Sequence, residues 1–448
     1  MFGRSRAFVA QAVVGVFLLI GGFTGGWICA LMFGSYVPMS RTIAAMVSPA
    51  GLQTPHELRH QFGVFWEIWH LVDKDFYHEE PLDRQQMIAG SINGMLASLD
   101  DPYTVYQEPD LAAQSNDNLR GSFEGIGAYV RVSDGKAYIS RSIENSPAQR
   151  AGLQENDEIL KIDGEAISPL IEDLDTSDAN IKVAARIRGP RGTTVTLTIR
   201  REPEEQPFDV VIERDEVILS SVQSAMLDNG VAYLKISGFK TTTPDDFDVA
   251  MGELLVQQPQ GLILDLRNNP GGYLRPAQEV LGRFYDGVAL YEKKTGGDVL
   301  TLRTMGGPAR AQVTDIPMVV LVNGRSASAS EIVAGALRDM REATYLMGEP
   351  TFGKGSVQNI HQLSNGASVR VTTAYWLTPD KQTISGVGIT PEYVVAMADE
   401  STQVVLCVAD NKPSEGQAGC VDDQLAAAIQ FLTKGQIPVE VVPAVARE

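Results

Sequence analysis

The sequence predicts a multidomain α/β protein in which an N-terminal transmembrane helix and a helical segment precede a β-rich module and an α/β core. Three observations lead to this prediction. The run from Phe8 to Phe33 is apolar and long enough to span a bilayer. Apolar residues then recur at helical spacing from Glu57 to Tyr77. From Val231 onwards, short apolar runs alternate with helical segments, which is typical of a buried sheet between helices.

These patterns divide the chain of 448 residues into six regions. The regions are a cytoplasmic tip and membrane anchor at 1–36, a linker at 37–55, an N-terminal helical region at 56–117, the β-rich module at 118–204, the α/β core at 205–398 and a C-terminal region at 399–448.

Composition and net charge limit the kinds of partner and cofactor that the protein is expected to bind. The chain is 44% hydrophobic and has a formal net charge of −19. Because a phosphate backbone requires a basic protein face, this charge argues against nucleic acid as a partner. The sequence has no Cys-x-x-Cys pair or Cys/His cluster, and we predict neither a metal nor an organic cofactor. Cys407 and Cys420 either close a small loop in an oxidising compartment or stay as free thiols.

The apolar segment at 8–33 predicts an anchor in the lipid bilayer. Arg4 and Arg6 precede it, so the positive-inside tendency keeps the short N-terminus in the cytoplasm. The rest of the chain is then exported to the periplasm or the cell surface. The alternative is a cleaved signal peptide. The run is long for a signal peptide and lacks a convincing small-x-small cleavage site, which favours the uncleaved anchor.

Two helical stretches follow the linker. The first, Glu57 to Tyr77, repeats aromatic residues such as Phe62 and Trp66 at helical intervals, and the second runs from Arg84 to Leu99. We expect these aromatic residues to be core residues rather than a ligand site.

The β-rich module opens with a glycine-rich loop at 121–127, directly before a strand at Ala128 to Val132. Such a loop can present backbone N–H groups to a peptide's C-terminal carboxylate, and the peptide can then add as a strand to the sheet edge. With the later motifs SPA at 146–148, AGL at 151–153 and IDG at 162–164, the module resembles the PDZ family over about 118–202.

The PDZ resemblance implies a peptide groove between the strand and a helix near Asn180 to Ile187. Gly125, Ile126 and Gly127 would bind the carboxylate through their N–H groups, unless the glycines only form a tight turn. Arg188 either couples the module to the catalytic domain or is a solvated turn charge.

The α/β core contains the predicted catalytic residues. Its predicted strands are Val231 to Ile236, Leu262 to Leu266 and Met318 to Val322, and its predicted helices are Asp245 to Gln257, Pro276 to Phe284 and Ala329 to Met340. A strand pair at Ser356 to Gln362 and Ala367 to Tyr375, joined by Asn365-Gly366, predicts a hairpin.

The segment SASASE at 326–331 lies where a buried strand leads into a helix, and Lys354 follows between two glycines. A serine at such a junction exposes its hydroxyl, and the helix N-terminus favours developing negative charge. Alone, the serines would be explained as a helix cap. A lysine can activate a serine in place of histidine, and histidine is scarce, with only His361 in this half of the chain. A phosphate-binding loop at Lys354 is rejected because glycine, not Ser or Thr, follows the lysine.

Several motifs in the same order resemble the carboxy-terminal processing proteases, peptidase family S41, which are Ser-Lys peptidases with an embedded PDZ domain. The motifs are LDDPYT at 99–104, DLRNNPGG at 265–272, SASASE at 326–331, FGKG at 352–355 and SGVGITP at 385–391. The resemblance covers about residues 60 to 398 and implies the tail-specific protease type of α/β core. The serine-to-lysine interval is one residue longer than is usual in the family, near 344–347.

The resemblance assigns roles to individual residues. Ser328 would be the nucleophile, Lys354 the general base and Gln358 the residue that orients Lys354. The backbone N–H groups of Ala329 and of the Gly271-Gly272 turn would form the oxyanion hole. Asp339, eleven residues after the nucleophile, would have a structural role.

The predicted function is therefore that of a membrane-anchored extracytoplasmic serine endopeptidase. It would recognise accessible C-terminal tails of protein substrates through its PDZ domain and cleave them with a Ser-Lys dyad. One alternative is a proteolytically inactive tail-binding scaffold, and another is a Ser-His hydrolase that uses His361. An activator or adaptor protein and an oligomer are both compatible with the sequence.

Overall fold

The computed structural model describes residues 58–172, 174–203, 206–227, 229–306, 315–397, 404–408 and 419–436. The predicted anchor and linker lie outside these residues. Within them, we find no helix that combines the length and the apolar character needed to cross a membrane.

The chain separates into two compact units, Met1–Gln86 and Met87–Glu448. In the first unit, α1 (Arg59–Asp75) has no buried residue, and its side chains of Phe62 and Trp66 are 43% and 52% exposed. The expectation that these aromatic residues are core residues is therefore wrong. Helical spacing identifies an apolar face but contains no information about what covers that face. The next helix is α2 (Arg84–Ala97).

The β-rich module is formed as predicted and has its own core. Its six-stranded sheet has the order β3-β4-β5-β7-β8, with β6 paired to β5. The strands are β3 (Ala128–Ser133), β4 (Lys136–Ser142), β5 (Glu158–Ile162), β6 (Glu165–Ala166), β7 (Thr194–Arg200) and β8 (Phe208–Glu213), and the helices are α4 (Pro147–Arg150), α5 (Ser168–Ile171) and α6 (Thr176–Ile187). Helix α6 begins earlier than predicted because the Asp175 side chain caps it by accepting from the Asp178 N–H.

Three elements flank this module in the chain. Helix α3 (Pro109–Arg120) precedes it, and β2 (Ser122–Gly125) pairs antiparallel with β9 (Asp215–Ile218). The two strands of that pair enter and leave the module.

The core sheet has the order β10-β11-β12-β15-β16-β19 and is parallel except for β10 at its edge. The strands are β10 (Val222–Met226), β11 (Val231–Ile236), β12 (Gly261–Asp265), β15 (Met318–Val322), β16 (Thr344–Gly348) and β19 (Tyr393–Val394), and the helices are α7 (Thr243–Leu255), α8 (Leu274–Phe284), α9 (Ala329–Met340) and α10 (Asp423–Lys434). Helices α7, α8 and α9 pack on one face of the sheet, and α10 packs on the other. Strands buried on both faces read as continuous apolar runs, which is why the sequence located them well.

A second sheet has the order β1-β18-β13-β14, and β17 also pairs with β18. The strands are β1 (Val105–Gln107), β13 (Val288–Lys294), β14 (Val299–Arg303), β17 (Ser356–Gln362) and β18 (Ser368–Leu377). The predicted hairpin is thus formed by β17 and β18. Strand β1, which comes from far away in the sequence, was not predicted.

Near the C-terminus, Cys407 and Cys420 form a disulfide, which decides between the two alternatives left open by the sequence. Cys407 lies two residues after β20 (Val404–Val405), and Cys420 is the first residue of β21 (Cys420–Val421), which pairs with β20 just before α10.

The N-cap of α10, Asp422, forms a buried ion pair with Arg267. Both guanidinium Nη atoms of Arg267 donate to Asp422 at 2.9 Å, while Asp265 pairs with the same guanidinium at 2.7 Å. Burial would disfavour the Arg267 charge, but the two carboxylates outweigh it and raise the pKa of Arg267 above its ordinary value. Helix α10 is therefore tied to the segment that leads into the Gly271-Gly272 turn.

Replacing Asp422 with alanine should lower the free energy of unfolding by about 3 kcal/mol, because a buried charge loses one partner and a helix loses its cap. Urea unfolding of the full chain measures this. The control is Arg275→Ala, which removes an exposed ion pair with Glu279 and should cost less than about 0.5 kcal/mol. An equal effect of both substitutions would contradict the prediction.

Candidate active site

Of the three serines in the SASASE segment, only Ser328 is accessible. Ser326 and Ser330 are fully buried, and their hydroxyls donate to backbone carbonyls at 2.8 Å and 2.7 Å, those of Leu266 and Asn269. Ser328 is half-buried and is the N-cap of α9. The two flanking serines hold the turn in place, and the middle one presents its hydroxyl.

The backbone of Ser328 has a φ of 56° and a ψ of −117°, a conformation that non-glycine residues rarely adopt. Such strain persists only where the surrounding structure enforces it, and it concentrates at functional sites. The turn is enforced by Glu331, whose Oε2 accepts from the Ser328 N–H at 2.7 Å.

Glu331 is fully buried and accepts four hydrogen bonds. Its Oε1 accepts from the Thr351 hydroxyl at 2.6 Å and from the Gly353 N–H at 2.7 Å, and its Oε2 also accepts from the Lys354 N–H at 2.9 Å. One carboxylate oxygen therefore accepts from the backbone of both Ser328 and Lys354. Glu331 was not predicted as a site residue, although a serine followed three residues later by glutamate is the capping-box pattern.

Lys354 is half-buried in the loop before β17. Its Nζ donates to Gln358 Oε1 at 2.9 Å, and its backbone carbonyl accepts from Trp376 Nε1 at 3.2 Å. Burial lowers the pKa of Lys354 below its ordinary 10.5, and the charge of Arg370 lowers it further, while Asp101 and Glu331 act in the opposite direction. A lowered pKa increases the neutral fraction that can act as a base.

Gln358 lies on β17 and contacts Lys354, which precedes the strand. Its Oε1 accepts from Lys354, and its Nε2 donates to the backbone carbonyl of Tyr103. The Tyr103 ring also lies 4.9 Å from Lys354 Nζ, within cation–π range. Tyr103 belongs to the LDDPYT motif, so a part of the chain that is 255 positions away in sequence completes this site.

Two of the predicted oxyanion-hole residues, Gly271 and Ala329, lie beside Ser328. Gly271 has a φ of 101°, and a Cβ there would lie 2.9 Å from the Ala329 nitrogen and from Ser328 Cβ, so the close approach requires glycine. The Gly271 N–H donates to Asn269 Oδ1 at 2.8 Å. Ala329 is the first residue of α9, where an N–H has no acceptor within the helix. The Gly271 N–H is therefore engaged by Asn269, and the role of Gly271 that this geometry supports is to provide the space beside Ser328.

Two further residues were considered in the sequence. His361 is exposed on β17, and it faces opposite to Gln358 because the two are three positions apart on a strand. The structure therefore gives the Ser-His alternative no support. Asp339, at the end of α9, accepts from the Asp380 N–H at 3.1 Å, a structural contact.

Gly125, at the end of β2, and Ile126 and Gly127, which connect β2 to β3, are buried. Strand β3 is at the sheet edge and lies beside α6, and its Val132 N–H donates to Asn180 Oδ1 on that helix at 2.6 Å. Strand β3 and helix α6 thus lie side by side, which is the arrangement that the PDZ resemblance implies.

Arg188 is half-buried rather than solvated. It donates to Asp117 Oδ2 on α3 at 2.7 Å and lies 4.8 Å from the centre of the Phe123 ring. Burial lowers the pKa of Arg188 and raises that of Asp117. The residue therefore joins the module to the segment that precedes it in the chain.

Comparison with known proteins finds three matching family models. Residues 230–395 match peptidase family S41, residues 138–201 match a PDZ domain, and residues 42–110 match the activating protease CtpB N-terminal domain.

Two relatives are carboxy-terminal processing proteases by name. CtpB of Bacillus subtilis is 34% identical over 356 residues, which cover 78% of this chain and 71% of that protein. The carboxy-terminal-processing protease of Bartonella bacilliformis is 35% identical over 374 residues, which cover 82% of each chain. Among solved structures, the photosystem II D1 C-terminal processing protease is 26% identical, with a TM-score of 0.44, over 75% of this chain and 93% of that one.

Proposed function

The chain belongs to peptidase family S41, the carboxy-terminal processing serine proteases, and we propose that it cleaves protein substrates with a dyad of Ser328 and Lys354. One observation carries this proposal. A single buried oxygen, Glu331 Oε2, accepts from the backbone N–H groups of both Ser328 and Lys354. A shared acceptor keeps the two residues next to each other, as a nucleophile and its base must be.

The proposed reaction is acyl transfer to Ser328. Neutral Lys354 takes the proton from the Ser328 hydroxyl as Oγ attacks the scissile carbonyl carbon. The N–H groups of Ala329 and Gly272 bind the oxyanion of the tetrahedral intermediate. Lys354 then returns the proton to the leaving amine, and the C–N bond breaks. Water, deprotonated by Lys354, hydrolyses the acyl-enzyme and restores the free serine.

The PDZ domain holds the C-terminal tail of the substrate in this proposal. The tail adds as a strand to the edge of β3, and its carboxylate binds N–H groups at 125–127. Binding energy from the tail, which does not itself react, then positions the scissile bond at Ser328. The site of action is outside the cytoplasm, with the chain anchored in the bilayer through residues 8–33.

Cleavage of an unstructured test protein by the full chain tests the nucleophile. Ser328→Ala should lower kcat by about 10⁴-fold or more. The control is Ser224→Ala, which removes an exposed hydroxyl on β10 and should keep the wild-type activity. Retained cleavage by folded Ser328→Ala would contradict the proposal, and tail binding without cleavage by the wild type would favour the inactive scaffold.

A further inference from the structure

The turn at 101–104 is tied to the catalytic hairpin by its own hydrogen bonds. Asp101 accepts from the Tyr103 N–H at 3.1 Å and from the Thr104 hydroxyl at 2.6 Å. The Thr104 hydroxyl in turn accepts from the Thr372 N–H on β18 at 3.1 Å. Strand β1 follows immediately and pairs with the same strand, with Val105 opposite Arg370. Both the side chains and the backbone of this segment are thus fixed against β18.

This arrangement sets the orientation of the Gln358 side-chain amide relative to Lys354. A glutamine side chain has one end that donates and one that accepts. Because the Tyr103 carbonyl takes a hydrogen bond from Gln358 Nε2, Gln358 Oε1 is turned towards Lys354 Nζ, 2.9 Å away. If the turn moved, the amide could rotate and present its donor end to the lysine. The position of Lys354 therefore depends on where the Tyr103 carbonyl lies.

We propose that the turn at 101–104 is a positioning element for the general base, and that Asp101 is the residue on which the turn depends. The inference rests on the proposed role of Lys354. Asp101 does not act on substrate. It acts through Tyr103 and Gln358.

Asp101 also contributes charge to the site. The groups that face the Lys354 ammonium are the carboxylates of Asp101 and Glu331, the guanidinium of Arg370 on β18 and the ring of Tyr103. The Asp101 carboxylate raises the pKa of Lys354, against the larger effect of burial. Asparagine removes the charge and keeps an acceptor for the Tyr103 N–H, while its NH₂ group replaces the acceptor for the Thr104 hydroxyl. Alanine removes the charge and both acceptors.

The test is the pH profile of kcat and KM for the full chain and its variants. Asp101→Asn should keep kcat at the optimum within about threefold and shift the acidic limb of kcat/KM to lower pH, since a charge that raises the pKa of Lys354 is lost. Asp101→Ala should lower kcat by about 10–100-fold, because misplacement of a catalytic group has effects of this size. KM should change little. The control is Asp100→Asn, an exposed neighbour, which should leave both parameters and the profile unchanged.

A double-mutant cycle separates positioning from simple loss of structure. If the turn acts through Gln358, Asp101→Ala should cause little further loss of kcat in a Gln358→Ala background. Activity is expressed per active site titrated with a fluorophosphonate, so unfolded molecules do not count. The inference would be overturned if the losses of kcat in Asp101→Ala and Gln358→Ala were fully additive. It would also be overturned if Asp101→Ala had the kcat and the acidic limb of the wild type.

The variant Lys354→Ala distinguishes a failure of the proposed dyad from a failure of the proposed role of Asp101. If Lys354→Ala still cleaves, the dyad itself fails. If Lys354→Ala is inactive while Asp101→Ala is normal, the dyad stands and only the role of Asp101 fails.

Discussion

Replacing Glu331 with alanine should abolish proteolysis and destabilise the core. The carboxylate accepts from four donors and is itself fully buried. Each donor left without an acceptor costs about 1–3 kcal/mol, so we expect a loss of at least about 3 kcal/mol in the free energy of unfolding. The strained turn at Ser328 would also lose the contact that enforces it, and the nucleophile would move away from the oxyanion donors.

Urea unfolding and fluorophosphonate labelling of the full chain measure the two effects separately. Glu331→Gln is the sharper variant, because it keeps the size of the side chain but points an NH₂ group at donors. A larger fraction of Glu331→Gln than of Glu331→Ala should be folded. The kcat of Glu331→Gln should still fall by about 100-fold or more. The matched control is Glu253→Ala on the exposed side of α7, which should change stability by less than about 0.5 kcal/mol. Normal labelling of folded Glu331→Gln would contradict the assigned role.

The sequence located the elements whose pattern is local. Strands β11 and β15 and helix α9 have the predicted bounds, because a run buried on both faces and a capped helix each have a distinct pattern. Strand β17 also has the predicted bounds, and there the signal was the Asn365-Gly366 turn of the hairpin. The motif indicated the contact of Gln358 with Lys354. Strand spacing does not explain this contact, because Lys354 lies in the loop before β17 and the pairing of β17 with β18 shifts register between Val357 and Gln358.

Contacts between distant segments could not be predicted in the same way. The Tyr103 carbonyl is a backbone group, so no side-chain pattern indicates that it accepts from Gln358. The pairing of β1 with β18 joins segments more than 260 positions apart, and the three residues of β1 are too few to show a period. The ion pair of Arg267 with Asp422 likewise depends on where α10 packs.

The kcat/KM of the wild type should rise with pH through the lowered pKa of Lys354, because only the neutral amine can take the Ser328 proton. Arg370→Gln removes a positive charge that lowers this pKa, so the acidic limb should move to higher pH. The shift is opposite in sign to that of Asp101→Asn. Arg303→Gln, an exposed arginine on β14, is the matched control and should leave the limb in place. A limb that does not respond to Arg370→Gln would mean that another group limits the rate.

The variant Lys354→Met tests how the lowered pKa of Lys354 affects the stability of the protein. In the folded state the pKa of Lys354 lies below the 10.5 of the unfolded chain, so between these two values the unfolded state binds more protons. The stability of the wild type should therefore rise with pH across that window, and this gain should be missing in Lys354→Met. At neutral pH the variant should be inactive but more stable than the wild type, because it no longer buries a charged ammonium. Urea unfolding of both proteins at pH 7 and near pH 10 measures this. A variant that is less stable at pH 7 would mean that the hydrogen bond of Lys354 to Gln358 outweighs the desolvation of its charge.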